Sequence, residues 1–107
     1  MVFDENLASR IRLALADEKG ISEKKMFGGL AFLLNGKMCC GITKDDLMVR
    51  VGPAGYKDAL QKPHVRPMDF TGKPMRGFVY VKPAGCKSDK SLAQWVQVGL
   101  NYVRSLG

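Results

Sequence analysis

The sequence predicts an α+β fold in which one antiparallel sheet is combined with three helices, in the order α-β-β-β-α-β-α. Two apolar runs flank the pair Asn35-Gly36, which is typical of a β-hairpin. A third strand follows after a short polar turn, and so short a connection excludes a parallel crossover. Amphipathic helical patterns occur near both ends of the chain. At 107 residues, the sequence is expected to form a single domain, residues 1–107.

The first element is an amphipathic helix within Asp4–Glu18. Its apolar residues recur at helical spacing, Asp4 is placed to cap its start, and Gly20 follows where the helix should stop. We expect Gly20–Glu23 to be a link. Lys24–Phe27 should then be the strand that leads into the hairpin.

The hairpin is predicted within Met26–Ile42. Asn35-Gly36 favours a two-residue type I′ turn, because both central positions need positive φ. Both faces of the hairpin are apolar, so at least part of it should be covered on both sides. Strict alternation would point Cys39 and Cys40 to opposite faces. Gly28-Gly29 indicates a bend or bulge and not a phosphate-binding loop, since no helix-forming stretch follows it.

The second half of the chain adds a strand over Leu47–Val51 and a short helix over Pro53–Gln61. Three prolines between Pro63 and Pro74 then indicate a loop or an edge segment, which apolar side chains should keep ordered. Phe78–Lys82 alternates as a fourth strand.

The last helix begins at Ser88 and has the clearest pattern in the chain. An apolar stripe at i, i+3, i+4 and i+7 spacing should face the sheet, and Gly99 within it should allow close packing. Trp95, Val98 and Tyr102 form a flank beside this stripe and widen the apolar arc to about 200°, where about 100° is enough for one core face. Either the flank is partly exposed, or it covers a partner. We predict a homodimer that buries this flank or an open sheet edge.

Charge and composition limit the possible partners. The chain has 17 basic and 10 acidic residues, a net charge of +7, with the basic excess mainly after Lys57. Aromatic residues are not interleaved with these lysines, which favours solvated faces over a nucleic-acid site, although a basic nucleic-acid-binding module remains the alternative.

No apolar run is long enough to span a membrane, and the start of the chain lacks a signal-peptide pattern. We expect a cytoplasmic protein that does not contact membranes.

No catalytic, metal or cofactor motif stands out. His64 is the single histidine, and Cys39-Cys40 lacks the spacing of a metal-ligand pair. Three cysteines fit a reducing compartment, and Cys86 is not expected to be redox-active. The sequence therefore predicts neither an enzyme nor a cofactor, and a small-molecule or anion-binding domain is a less favoured possibility.

One group of charged residues is a candidate site for a ligand or a partner. Arg50, Arg66, Asp69 and Arg76 surround the proline-rich segment, and arginines placed in this way suit a carboxylate or phosphate of a ligand or partner. The alternative is that Asp69 pairs internally with one of these arginines and fixes the loop.

Two motifs carry a family resemblance. Lys25–Leu30 (KMFGGL) with Asn35–Met38 (NGKM), and Arg66–Met75 (RPMDFTGKPM) with Gly77–Val81 (GFVYV), are similar to the N-terminal domain of the TfoX/Sxy family, bacterial regulators linked to natural competence. The resemblance implies a two-layer sandwich like that of secretion chaperones, often dimeric, with no established catalytic residues.

Full-length competence regulators of this family carry a second, C-terminal domain, whereas this chain is expected to be a stand-alone N-terminal domain. A competence role therefore does not transfer directly. What the resemblance implies is a non-enzymatic regulatory or protein-interaction domain, with a possible protein partner in transcription regulation.

Overall fold

Three α-helices and a six-stranded antiparallel sheet make up residues 4–26, 29–68 and 77–106, which the computed structural model describes. The α+β class and the approximate element order are confirmed. The elements are α1 (Glu5–Ala14), β1 (Ile21–Met26), β2 (Gly29–Leu34), β3 (Lys37–Thr43), β4 (Asp46–Arg50), α2 (Gly52–Leu60), β5 (Val65–Pro67), β6 (Phe78–Val81), a 3₁₀ helix (Pro83–Cys86) and α3 (Asp89–Ser105). Within these ranges, no helix is long and apolar enough to cross a membrane.

The strands are ordered β1-β2-β3-β4-β6-β5 across the sheet, and each neighbouring pair is antiparallel. The first four form a meander, as the short connections predicted. β1 was only partly anticipated, because Ile21–Met26 pairs with β2 along its whole length and the expected link Gly20–Glu23 is largely strand. Most side chains of β1 are polar or charged and exposed, so the strand has no apolar alternation that would predict it. Charged side chains are nevertheless typical of edge strands.

The opposite edge is β5, a three-residue strand that ends in Pro67. The expectation of an edge segment after Pro63 is therefore right for Val65–Pro67. Residues 69–76 lie outside the described residues, as does the pair Phe27 and Gly28 at the predicted bend.

The central strands of the sheet are buried on both faces. The helices pack on one face, where Phe32 belongs to the main core cluster, and Ala31 beside it belongs to a smaller cluster on the other face. Both side chains are fully buried, which confirms that the hairpin is covered twice. At its turn, Asn35 and Gly36 have φ of 52° and 84°, as a type I′ turn requires.

A β-bulge interrupts the hairpin next to this turn. Phe32 pairs with Cys40 but Leu33 pairs with Met38, so that Cys39 is one extra residue in β3. Cys39 and Cys40 consequently both enter the helix-facing cluster, with their sulfur atoms 3.9 Å apart. The prediction that they point to opposite faces is wrong, because the bulge breaks the alternation on which it relied.

Helix α3 lies against this bulge. Ser88 caps the helix by accepting a hydrogen bond from the Ser91 backbone N–H at 3.0 Å, as expected. Gly99 faces the backbone of Cys39 so closely that a Cβ atom would overlap the Cys39 carbonyl oxygen. The predicted close packing at Gly99 is thus confirmed, and its neighbour is strand β3. The buried stripe of α3 comprises Leu92, Val96, Gly99, Leu100 and Val103.

Helix α1 begins as predicted, since the Asp4 carboxylate accepts hydrogen bonds from the backbone N–H groups of Asn6 and Leu7. It ends at Ala14, earlier than the pattern suggested. On its exposed side, both nitrogens of the Arg12 fork reach the Glu23 carboxylate at 2.8 Å. This bidentate pair joins α1 to the edge strand β1.

Replacement of Gly99 with Ala tests the packing of α3. In a freely exposed helix this change stabilises by about 1 kcal/mol, but here the new methyl meets the Cys39 carbonyl. We expect Gly99→Ala to lower the free energy of unfolding in urea by about 1–3 kcal/mol. Gln97→Ala, on the exposed side of the same helix, should change it by less than about 0.5 kcal/mol. A stabilised Gly99→Ala protein would contradict this packing.

The Arg12–Glu23 pair predicts a pH-dependent contribution to stability. The hydrogen bond from Arg12 lowers the pKa of Glu23 below its usual range, so the pair stabilises the fold above the pKa of the unfolded chain and loses this effect as pH falls through the folded-state pKa. We expect Glu23→Gln to cost about 0.5 kcal/mol at pH 7, the scale of exposed pairs.

Urea unfolding of both proteins from pH 7 into the acid range measures this difference, which should shrink towards zero as the wild-type carboxylate is protonated. Asp17→Asn, at an exposed carboxylate after α1, serves as the control. A Glu23→Gln deficit that stays constant down to the acid limit would argue against the ion pair as its cause.

Candidate functional site on helix α3

The predicted flank of α3, formed by Trp95, Val98 and Tyr102, runs along the outer side of the helix. Leu106, the residue that follows the helix, extends the same stripe and is counted with the flank from here on. Trp95, Val98, Tyr102 and Leu106 recur at spacings of three, four and four residues, which at about 100° per residue confines them to an arc of about 80°. The arc is centred about 100° away from the buried stripe. Val98 and Leu106 are 39% and 42% exposed, whereas Trp95 and Tyr102 are half-buried.

Trp95 is half-buried because it packs against the helix-facing core cluster. The Lys62 ammonium, from the turn after α2, lies 5.9 Å from the centroid of the indole ring. This is within reach of a cation–π attraction. The residues after α2 therefore cover part of the flank within the same chain.

Tyr102 is held at the other end of the stripe. Its ring lies against Gly52, where a Cβ atom would overlap it, and the Arg50 guanidinium is 5.3 Å from its centroid. The same guanidinium is 5.6 Å from the Phe78 ring. Arg50 thus bridges an aromatic ring of the sheet and one of α3, and Tyr102 is fixed by internal contacts.

A cleft of about 350 Å³ opens beside the flank. It lies between α3, the turn that joins α2 to β5, and the 3₁₀ helix, and none of the described residues in its wall is acidic. His64 at its rim has a left-handed backbone with φ of 66°, and its carbonyl accepts a hydrogen bond from the Lys82 N–H at 2.8 Å. The walls are formed by Lys62, Pro63, His64, Ala84, Gly85, Ser91, Gln94, Trp95 and Val98.

Of the four residues in the predicted arginine constellation, Arg50 and Arg66 lie within the described part of the chain. Arg66 donates to the Asp46 carboxylate at 2.7 Å and stacks over the Tyr80 ring at 4.3 Å, so that it is engaged at a different place from Arg50. Asp69 and Arg76 lie outside the described residues, and an anion or partner contact by these four side chains stays a prediction. Sequence reasoning missed Asp46, which only the β4-β6-β5 arrangement brings next to Arg66.

The cysteines are buried and do not form an exposed reactive site. The hydrogen bond between the two thiols and burial raise the pKa of Cys40. Burial also raises the pKa of Cys86, which ends the 3₁₀ helix just before α3. Over the described ranges, no group of three His, Cys, Asp or Glu side chains is arranged to hold a metal ion.

A further feature of α3 escaped the sequence prediction. Ser91–Val103 contains no acidic or basic residue, in a chain in which 25% of the residues are charged. Its exposed polar side chains are neutral, and Gln97 and Asn101 hydrogen-bond to each other at 2.8 Å. The flank is therefore bordered along the helix by uncharged polar groups, a composition that distinguishes it from an ordinary solvated face.

Comparison with known protein families identifies the family of the chain. The model of the TfoX N-terminal domain matches residues 13–102, most of the 107-residue sequence. The chain belongs to the TfoX N-terminal domain family. This confirms the resemblance that the two motifs indicated. Neither the comparison with curated proteins nor that with solved structures gave a significant match.

Membership in the TfoX N-terminal domain family supports a regulatory or competence-related domain in general terms. The described residues of the two motifs fall mainly on the sheet: those of the first lie in or beside β1, β2 and β3, and those of the second include parts of β5 and all of β6. The flank on α3 lies outside both motifs. Most of α3 nevertheless lies within the residues that the family model matches.

Proposed function

We propose that this TfoX N-terminal domain is a non-enzymatic regulatory domain that acts through protein–protein contact, and that the flank of α3 is its contact surface. The occupant that we propose for this surface is a second copy of the same chain. The observation that carries the proposal is the combination of an apolar stripe with an uncharged border along Ser91–Val103.

Exposure supports this choice of surface. Among the described residues, the large hydrophobic side chains that are exposed are Leu13, Val98 and Leu106, and two of these three belong to the flank. Aromatic residues are enriched and charged residues depleted at the centre of protein interfaces. Trp95 and Tyr102 are already fixed by contacts within the chain, so they would lose little side-chain entropy on binding.

The absence of charged residues within Ser91–Val103 favours a second copy over an acidic partner or nucleic acid, with Lys62 and Arg50 as the charged groups beside the aromatic rings at its ends. An uncharged apolar stripe is complementary to itself, and a two-fold axis would place two such stripes against each other. The net charge of +7 is the main support for the nucleic-acid alternative, yet the lysines that provide it lie outside this segment. A phosphate-binding surface would instead need cations along it.

Val98→Glu tests the proposed interface. Val98 is exposed, so a charge there should leave the fold intact while it opposes burial against another copy. We expect light scattering to give twice the 11.8 kDa chain mass for the wild type and the single-chain mass for Val98→Glu, with unchanged circular dichroism. Tyr102 is a poorer position for the test, because a substitution there also removes its contacts with Gly52 and Arg50.

Gln97→Glu is the matched control, since it adds the same charge on the exposed side of α3 away from the stripe. This variant should remain a dimer. A wild-type protein that is monomeric at its highest soluble concentration would refute self-association through the flank. A Val98→Glu protein that stays dimeric would refute this surface and would make the β1 edge of the sheet the next candidate for the dimer contact.

A further inference from the structure

The cleft beside Trp95 has a composition that the protein–protein role does not explain. It combines an aromatic wall formed by Trp95, a lysine, a histidine and neutral hydrogen-bonding groups, and none of the wall residues that the structure describes is a carboxylate. Its volume of about 350 Å³ is at the lower end of the range for small-molecule sites. Such a volume accommodates a ligand of one or two fused rings.

We propose that this cleft binds a small aromatic anion, a carboxylate or a phosphate on a planar ring system. The cleft shares Trp95 and Val98 with the flank, but the proposal concerns occupancy of the cleft and has its own measurement. Among the described residues, none that belongs to either family motif lines the cleft.

The aromatic wall determines the shape of the ligand. The Trp95 ring is fixed by the core on one side, and Pro63 and Val98 add apolar surface to the same cleft. A planar ring can stack on the indole in an offset arrangement, which adds to the gain from burying apolar area. An aliphatic chain of the same size would lose the stacking component.

The Lys62 ammonium determines the charge of the ligand. The Lys62 ammonium lies over the indole face at 5.9 Å, close to where a stacked ring would carry its substituent. His64 is held at the rim by its carbonyl, which accepts from Lys82, and Gly85 approaches it so closely that an added Cβ would lie 3.1 Å from the His64 Cβ. An anionic group between these two side chains gains a charge-assisted hydrogen bond. Ser91 and Gln94 can accept or donate further bonds.

Nitrogen-15 NMR titration of the full chain tests the proposal with four naphthalene probes. Trp95 is the single tryptophan, so its indole N–H gives one unambiguous signal. We expect 2-naphthoate and 1-naphthyl phosphate to shift this signal and the Lys62 and Gly85 amides saturably. The neutral isostere 2-naphthamide should bind at least tenfold more weakly, and the cation 2-naphthylmethylamine more weakly still.

Two variants locate the anion. Lys62→Met should weaken 2-naphthoate binding about tenfold and leave 2-naphthamide unchanged, whereas Lys57→Met, at an exposed lysine on α2 outside the cleft, should change neither. His64→Asn keeps a residue that tolerates the left-handed backbone, and should also weaken naphthoate selectively.

Equal affinity for naphthoate and naphthamide would overturn the anionic preference. Tightest binding of the amine would show that the indole face selects cations, and would overturn it as well. Failure of all four probes to shift the indole signal would refute the site altogether. These results concern probe binding, and light scattering of the unliganded protein measures its mass separately, so a failure of the site is distinguished from a failure of the proposed dimer.

Discussion

The close contact between Gly99 of α3 and the Cys39 backbone of β3 determines where the last helix lies, and most features of the outer surface depend on it. The bulge adds one residue to β3 and places both cysteines under the helix. Gly99 removes the side chain that would otherwise separate the two backbones. With the axis of α3 fixed at this distance, its buried stripe enters the core, and the flank is directed sideways, towards α2 and the turn that follows it.

This orientation explains why the wide apolar arc is only partly exposed. At the ends of the flank, Trp95 and Tyr102 each lie beside a cation of the same chain, Lys62 and Arg50, at distances compatible with cation–π attraction. Val98, between them, has exposed surface. Self-association uses the exposed stripe, and anion binding uses the cleft formed where Lys62 faces Trp95, with Trp95 and Val98 common to both.

Much of the fold could be predicted from local patterns. The turn at Asn35-Gly36, the cap at Ser88 and the buried stripe of α3 follow from residue types and periodicity, each of which acts within a few residues. The bulge could not be predicted, because a one-residue shift leaves the apolar pattern of β3 unchanged while it moves Cys39 to the other face. Strand β1 was underestimated because an edge strand needs few apolar residues.

The candidate site was predictable to a lesser degree. The flank was visible as a helical pattern, but the cleft joins segments that are distant in sequence, so that Lys62 and Gly85 became wall residues only through the topology of the sheet. The pairing of Arg66 with Asp46 has the same origin, since β6 brings the strands that carry them together. Such contacts depend on strand order, which residue spacing does not encode.

Nuclear Overhauser effects from the Cβ protons of Cys39 and Cys40 test most directly whether the bulge places α3 as described. Both cysteines should show effects to the helix-facing cluster, with Cys39 also close to the Hα protons of Gly99. If the strand alternated regularly, one cysteine would instead contact Met48 in the cluster on the opposite face. Effects from both cysteines to α3 would support the account, and effects from Cys39 to Met48 would contradict it.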